Sequence, residues 1–123
     1  MGKTIFVVDD SRTIRQQLEF TLNKAGYTTK FAENGQDALD RLKREGAVDL
    51  IILDMNMPVM GGLEMLKNMQ TEAWRTIPVL VLTTQGDAER IAEARKIGAK
   101  AWMVKPFQVD VLLRAVAKLM SKD

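Results

Sequence analysis

At 123 residues with 46% hydrophobic content, the chain is sized for one domain, residues 1–123, with enough apolar mass for a core. Eighteen basic and sixteen acidic residues leave a net charge of +2, too balanced for a nucleic-acid stripe or a membrane patch. Without cysteine or histidine, disulfides, thiol chemistry and the commonest general base and transition-metal ligand are excluded; no leader-like opening or bilayer-length apolar run is present, so the expected compartment is the cytoplasm.

The first apolar run, 4–8, ends in Asp9-Asp10, and Ser11 then stands where a helix N-cap belongs. Ile14, Leu18 and Leu22 share one face of that helix, and Gly26 follows as a left-handed cap. The second run, 28–32, ends blandly, as an edge strand does, before a helix with Ala38, Leu39 and Leu42 on one face. The third, 50–53, ends in Asp54 and continues as Met55-Asn56-Met57-Pro58, ahead of a helix carrying Leu63, Leu66 and Met69. The fourth, 79–82, ends in Thr83-Thr84, followed by a helix with Ala88, Ile91 and Ala92 and a capping Gly98. The fifth, 101–104, ends in Lys105-Pro106, and the last helix carries Val109, Leu113, Val116 and Met120. Most runs are near-continuous and β-branched rather than alternating, the pattern of strands buried on both faces. Five strand–helix repeats imply an α/β fold, a doubly wound five-stranded parallel sheet with five helices and right-handed crossovers.

In such sheets ligands bind at the carboxyl ends of the strands. Those ends carry Asp9, Asp10, Asp54, Thr83 and Lys105. Two unit charges about 4 Å apart repel by about 4 kcal/mol at an effective dielectric near 20, so three converging carboxylates require a cation. An oxygen-only donor set points to a hard divalent ion, and Mg²⁺ fits best because it takes few carboxylates and keeps waters for a phosphate partner. A metal, an ammonium and a hydroxyl together stabilise a phosphoryl group. With no Ser-His or Cys-His pair available, the central carboxylate, Asp54, is the candidate nucleophile. Lys105 is then the counter-charge, and Pro106 stops the strand so that its ammonium turns inward. Mutual repulsion of the three acids predicts a metal-free site under strain, relieved by removing one charge, for instance in Asp10→Ala.

Taken in order, Asp9-Asp10-Ser11, Asp54-Met55-Asn56-Met57-Pro58 with Gly61-Gly62, Thr83-Thr84 and Lys105-Pro106-Phe107 make the chain resemble, over essentially its whole length, the receiver domains of two-component response regulators. Residues 101–107 are most similar to chemotaxis regulators of the CheY type. The resemblance implies a flavodoxin/CheY-like strand order of 2-1-3-4-5, an order for which CheY is itself a type example. It implies that Asp54 accepts a phosphoryl group from a sensor histidine kinase, that Asp9, Asp10, Asp54 and the backbone carbonyl of Asn56 hold Mg²⁺, and that Thr83 and Lys105 engage the phosphoryl group. It further implies a cis Lys105–Pro106 bond and a switch aromatic at Trp102, signalling on the face made by the fourth helix, fifth strand and fifth helix. Tryptophan there departs from the commoner Tyr or Phe and puts a simple rotamer flip in doubt. Asn56 and Gln85 occupy the two places that tune hydrolysis in the family; as amides they imply slow to moderate self-dephosphorylation.

The expected protein is therefore a monomeric phosphoacceptor rather than an enzyme, with a protein target such as the flagellar motor switch, no nucleic acid and no membrane partner. Since the chain stops at Asp123, output by protein contact is expected rather than through an attached DNA-binding domain. A phosphorelay intermediate is the alternative. A Mg²⁺-dependent aspartyl-phosphate phosphatase would want a second acid where Asn56 stands, and a flavin module would want a hydroxyl-rich loop where Asp9-Asp10 stand. A degenerate receiver acting only in docking would lack one of the site residues, and all are present. Met55, Met57, Met60, Met65 and Met69 read as adaptable packing rather than a binding surface. Val111 and Ala115, off the core stripe of the last helix, read equally well as partner surface or ordinary exposed apolar residues.

Overall fold

The computed structural model describes residues 3–45, 47–57, 59–70, 73–84 and 88–121. In chain order the elements are β1 (Thr4–Val8), α1 (Arg12–Lys24), β2 (Thr28–Ala32), α2 (Gly35–Glu45), β3 (Leu50–Asp54), α3 (Gly62–Met69), a 3₁₀ turn (Ala73–Thr76), β4 (Val79–Thr83), α4 (Ala88–Ile97), β5 (Ala101–Val104) and α5 (Val109–Met120). All neighbours in the sheet are parallel and their order is β2-β1-β3-β4-β5. Among the described residues no helix is long and apolar enough to cross a membrane.

Strand alternation sorts the core into two layers. Phe6, Val8, Ile51, Leu53, Val79 and Val81 pack with residues of α2, α3 and α4. Ile5, Val7, Leu50, Ile52, Leu80 and Leu82 pack with Leu18 and Leu22 of α1 and Leu112 and Val116 of α5. β3 and β4 are buried along their whole length and β1 nearly so, because helices cover them on both faces. Ser11 caps α1, its Oγ accepting from the Ile14 N–H at 3.3 Å. Gly26 and Gly98 take φ +99° and +135°, the left-handed conformations expected after α1 and α4.

Three expectations are corrected. β5 lies at the sheet edge, as the implied strand order requires, and is not buried on both faces as its apolar run suggested: Trp102 and Val104 are 42% and 41% exposed. The inward stripe of α5 is Leu112 and Val116, with Leu113, Leu119 and Met120 beside them, while Val109 is 52% exposed. In α4 the buried residue is Ala94, flanked by partly buried Ile91 and Ile97; Ala88 and Ala92 face solvent. Both helices border the sheet edge, so each meets the core along a narrower line than a central helix. Val111 of α5 is exposed and Ala115 partly so. The methionines behave as packing: Met55, Met60, Met65 and Met69 are buried in the α2–α3–α4 layer and Met57 leans on it.

The start of α3 is pressed onto the end of β3. A Cβ on Gly62 would lie 2.6 Å from the Asp54 carbonyl oxygen and 3.0 Å from Met55 Cα, both backbone atoms that cannot swing aside. Gly62→Ala is therefore expected to lower stability by about 1–3 kcal/mol, the usual cost of overpacking. A urea titration checks this; an unchanged midpoint would mean that the β3–α3 loop shifts without cost.

Candidate functional site

The strand pleat aims three side chains at one place. Asp9 continues the alternation of Ile5 and Val7, Asp54 that of Leu50 and Ile52, and Lys105 that of Ala101 and Met103. The ladders run one residue past the strands to hold them: Asp9 N–H donates to the Ala32 carbonyl at 3.1 Å and Lys105 N–H to the Thr83 carbonyl at 2.8 Å. At this edge the Lys105 ammonium lies 3.0 Å from Asp54 Oδ1 and 3.1 Å from Asp9 Oδ2. Both carboxylates are buried, 1% exposed for Asp9 and 3% for Asp54. The Lys105–Pro106 peptide is cis.

The surrounding backbone fixes the acids further. Ser11 N–H donates to Asp9 Oδ1 at 2.8 Å, and the Arg15 guanidinium donates to the Asp9 carbonyl at 2.6 Å. Asn56 N–H donates to the Asp54 carboxylate. Asp9 Oδ2, fully enclosed, has the ion-pair contact with Lys105 but no aligned hydrogen bond. Asp9, Asp10 and Asp54 each offer one carboxylate oxygen within 4.8 Å of the others. An incompletely satisfied buried carboxylate oxygen in an all-oxygen set suits a hard divalent cation.

Asp10 is exposed, so water screens its share of the repulsion; the crowded pair is Asp9 and Asp54. Thr83 is fully buried at the end of β4, in register with Val104, and its hydroxyl donates to the Thr84 carbonyl at 3.3 Å. Trp102 lies apart from the acids, on the α4 side, with the Arg95 guanidinium 4.9 Å from its ring centroid. Gln85 and Pro58 lie outside the described residues. Sequence reasoning missed Arg15 and Arg90. Arg15 stands one helical turn beyond Ser11, within reach of the acid loop. Arg90, whose guanidinium donates to the Asn56 side-chain oxygen, had a discoverable sign: it is a cation in the first turn of α4, where the helix dipole disfavours positive charge.

Burial first, and then the charge of Asp9, push the Asp54 carboxyl above its ordinary range, against the hydrogen bond and charge of Lys105 and the Asn56 N–H. Burial works against the Lys105 ammonium, but the Asp54 hydrogen bond and the charges of Asp54 and Asp9 outweigh it, so Lys105 is raised. The two shifts have opposite consequences because one ammonium serves two carboxylates. A raised Asp54 favours folding while protonated, a contribution lost as pH climbs through its folded value, so the ionised group is a net cost at neutral pH. A raised Lys105 contributes stability at neutral pH that is lost only in strong alkali. In chelator at neutral pH, Asp54→Asn is expected to be more stable than the parent by on the order of 1 kcal/mol, with the gain shrinking in mild acid. Asp10→Ala should gain less. Paired urea titrations at the two pH values decide; a destabilised Asp54→Asn would mean that the Lys105 pair outweighs burial.

Residues 5–117 match the family model for the response regulator receiver domain. The chain is 39% identical over 120 residues to sporulation initiation phosphotransferase F of Bacillus subtilis, covering 98% of this chain and 95% of that protein. It is 36% identical over 110 residues to chemotaxis protein CheY1 of Helicobacter pylori, covering 88% and 89%. Among solved structures, chemotaxis response regulator CheY4 of Vibrio cholerae superposes with a TM-score of 0.89 at 37% identity, covering 97% of this chain and 99% of that one. The five-stranded parallel sheet covered on both faces, its acidic and cationic carboxyl edge and the match across nearly the whole length have one conclusion: the chain belongs to the response regulator receiver domain family, of the CheY type.

Proposed function

We propose that this chain is a two-component phosphoacceptor in which Asp54 takes a phosphoryl group from a sensor histidine kinase and signals by a change in its own surface. The observation that carries the proposal is the convergence of Asp54, Asp9 and Lys105 at 3.0 and 3.1 Å on a buried sheet edge. An Asp54 carboxylate oxygen attacks phosphorus, the bond from phosphorus to the donor nitrogen breaks, and the proton needed by the leaving imidazole comes from solvent. Asp9, Asp10, Asp54 and the Asn56 carbonyl are the residues that would hold Mg²⁺, which supplies positive charge opposite the transferring phosphoryl oxygens. Lys105 supplies the second positive charge, and the Thr83 hydroxyl a donor. Asn56 and Gln85 tune hydrolysis. The chain is then a signalling protein that catalyses its own modification, not an enzyme acting on a separate substrate.

Output through the α4–β5–α5 face is supported by Trp102 and Val104, which place exposed apolar surface there next to Arg95. The likeness to chemotaxis proteins from Helicobacter pylori and Vibrio cholerae supports chemotaxis, with a flagellar motor switch as target. A second reading, a phosphorelay intermediate, has its own support in the relative named sporulation initiation phosphotransferase F. Passing the phosphoryl group on to a histidine-containing acceptor would favour the relay; binding a motor-switch peptide only when phosphorylated would favour chemotaxis.

With acetyl phosphate and Mg²⁺, intact-mass analysis should find one phosphoryl group on the parent protein and none on Asp54→Asn. Full labelling of that variant would remove Asp54 from its role. Lys105→Ala should still accept phosphate, because lysine is not the nucleophile, at a rate reduced about tenfold or more by loss of an electrostatic donor. Its phosphorylated form should bind the target little better than its unphosphorylated form. Target affinity equal to that of the phosphorylated parent would remove Lys105 from switching.

A further inference from the structure

The start of α2 joins two residues that are chemically ill-matched. Asn34 caps the helix: its Oδ1 accepts from the Asp37 N–H at 2.8 Å and its backbone carbonyl from the Ala38 N–H at 3.0 Å. Gly35 follows and is pressed against the β3–α3 loop. A Cβ there would lie 2.8 Å from Met60 Cγ and 2.9 Å from the Met60 carbonyl oxygen. The second of these is backbone and cannot swing aside, so the position is closed to side chains. Yet an asparagine followed by glycine is the pair in which the next backbone nitrogen most readily attacks the side-chain amide, because no side chain shields that nitrogen. The other asparagines, Asn23, Asn56 and Asn68, precede the bulkier Lys24, Met57 and Met69.

The reaction needs only water. A base in solvent takes the Gly35 N–H proton, and the nitrogen electron pair forms a bond to Asn34 Cγ. The bond from Cγ to Nδ2 breaks, and that nitrogen leaves as ammonia with a proton from water. Water then opens the resulting cyclic imide at either of its carbonyls. One opening gives aspartate; the other gives isoaspartate, in which the main chain runs through the side-chain carbon.

In the fold both reacting groups are engaged. The Gly35 N–H donates to the Met60 carbonyl at 3.0 Å, so the proton that must leave is held by the loop. The bond from the Asp37 N–H ties the Asn34 carboxamide to the first turn of the helix. The same loop carries Val59 at φ +69° and 81% exposed, among the described residues the one non-glycine at positive φ. A β-branched residue is strained there, and opening the loop would relieve it.

We propose that Asn34 is a site of spontaneous deamidation guarded by the β3–α3 loop: Met60 holds the Gly35 N–H, and opening of the loop, without unfolding of the chain, releases it. The product places a new carboxylate beside Glu33 and Asp37, which are already joined through the Glu33 N–H. As isoaspartate it also lengthens the main chain by one carbon just before Gly35, which spoils the seat under Met60.

The test follows the parent, Val59→Gly and Met60→Ala in warm, mildly alkaline buffer, with the parent in guanidinium chloride as the unguarded reference. Peptide mass analysis locates the conversion of amide to acid, enzymatic methylation detects isoaspartate, and hydrogen exchange reads the Gly35 amide. In the unfolded parent Asn34 should convert ahead of Asn23, Asn56 and Asn68. In the folded parent it should convert at least about tenfold more slowly, as expected of an amide that reacts only from an opened state. Met60→Ala, which loses the seat, should convert about threefold or more faster than the folded parent and show a less protected Gly35 amide. Val59→Gly adopts the closed loop without strain and should convert about threefold more slowly, with a better protected amide. Should Met60→Ala fail to fold, Val59→Gly decides alone, since it removes no buried atom. Equal rates in the folded and unfolded parent, conversion led by another asparagine, or a Val59→Gly rate equal to or above the parent's overturns the proposal.

Discussion

One ammonium standing between two buried carboxylates is the constraint on which this molecule is arranged. Lys105 lies 3.0 Å from Asp54 and 3.1 Å from Asp9, and each acid comes from a different strand end. The contact exists only if β1, β3 and β5 are parallel, correctly ordered and in register, so the topology and the site are one requirement. It is no source of stability in itself: a buried ion pair rarely recovers its desolvation, and here the charges do not balance. The fold is held elsewhere. Ile5, Val7, Leu50, Ile51, Ile52 and Leu53 are fully buried, and each contributes about 1.5–3 kcal/mol on leaving water. A few of them outweigh the few kcal/mol that an unbalanced carboxylate costs, which is how a strained edge persists on a stable sheet.

The central strands were legible because burial on both faces removes the ambiguity between strand alternation and helical period. β3 shows this in Leu50, Ile51, Ile52 and Leu53, a run with no polar interruption until Asp54. The edge was not legible in the same way. Ala-Trp-Met-Val is as apolar as a central strand, but only half of β5 is covered, and composition does not say which neighbour is missing. The stripe of α4 escaped because its contact is made by alanine, whose spacing carries little contrast: Ala88, Ala92 and Ala94 read alike, and the packing selects Ala94. In the site, Asp9, Asp54 and Lys105 were legible since strand ends are defined by where apolar runs stop. The partners of Arg15 and Arg90 were not, because a long helical side chain finds its partner through the loop it faces, and loop position is a tertiary property; only the unusual place of Arg90 in the first turn of α4 was a sign.

The alternation that gathers the acids also separates them from the surface proposed to report on them. Asp9, Asp54 and Lys105 follow the parity of the α1–α5 layer, whereas Trp102 has the opposite parity and lies by α4. Thr83 follows Val79 and Val81 in parity and so shares the side of Trp102. The shortest link between the two sides is in the backbone: Lys105 N–H donates to the Thr83 carbonyl at 2.8 Å, joining the residue that would balance phosphoryl charge to the one that would bond the phosphoryl group. Trp102 is already half-exposed, so a change there is a rearrangement on the surface rather than extraction from a core.

The cost of such a rearrangement depends on what ties α4 down, and the ties are slight. Its one fully buried side chain is Ala94, whereas α1 buries Leu18 and Leu22 and α3 buries Met65, Leu66 and Met69. The Lys67–Glu93 pair at 3.7 Å joins two exposed side chains, an arrangement worth about 0–1 kcal/mol. The Arg95–Trp102 contact adds roughly 0.5–1 kcal/mol at an exposed position. With the partly buried Ile91 and Ile97 and the Arg90–Asn56 hydrogen bond added, displacing α4 still forfeits less buried apolar side chain than displacing α1 or α3. Charge added at the sheet edge and felt through Thr83 and Lys105 would be resisted least by α4. That helix carries Arg95 toward Trp102, so its weak anchoring places the proposed output face beside a movable element.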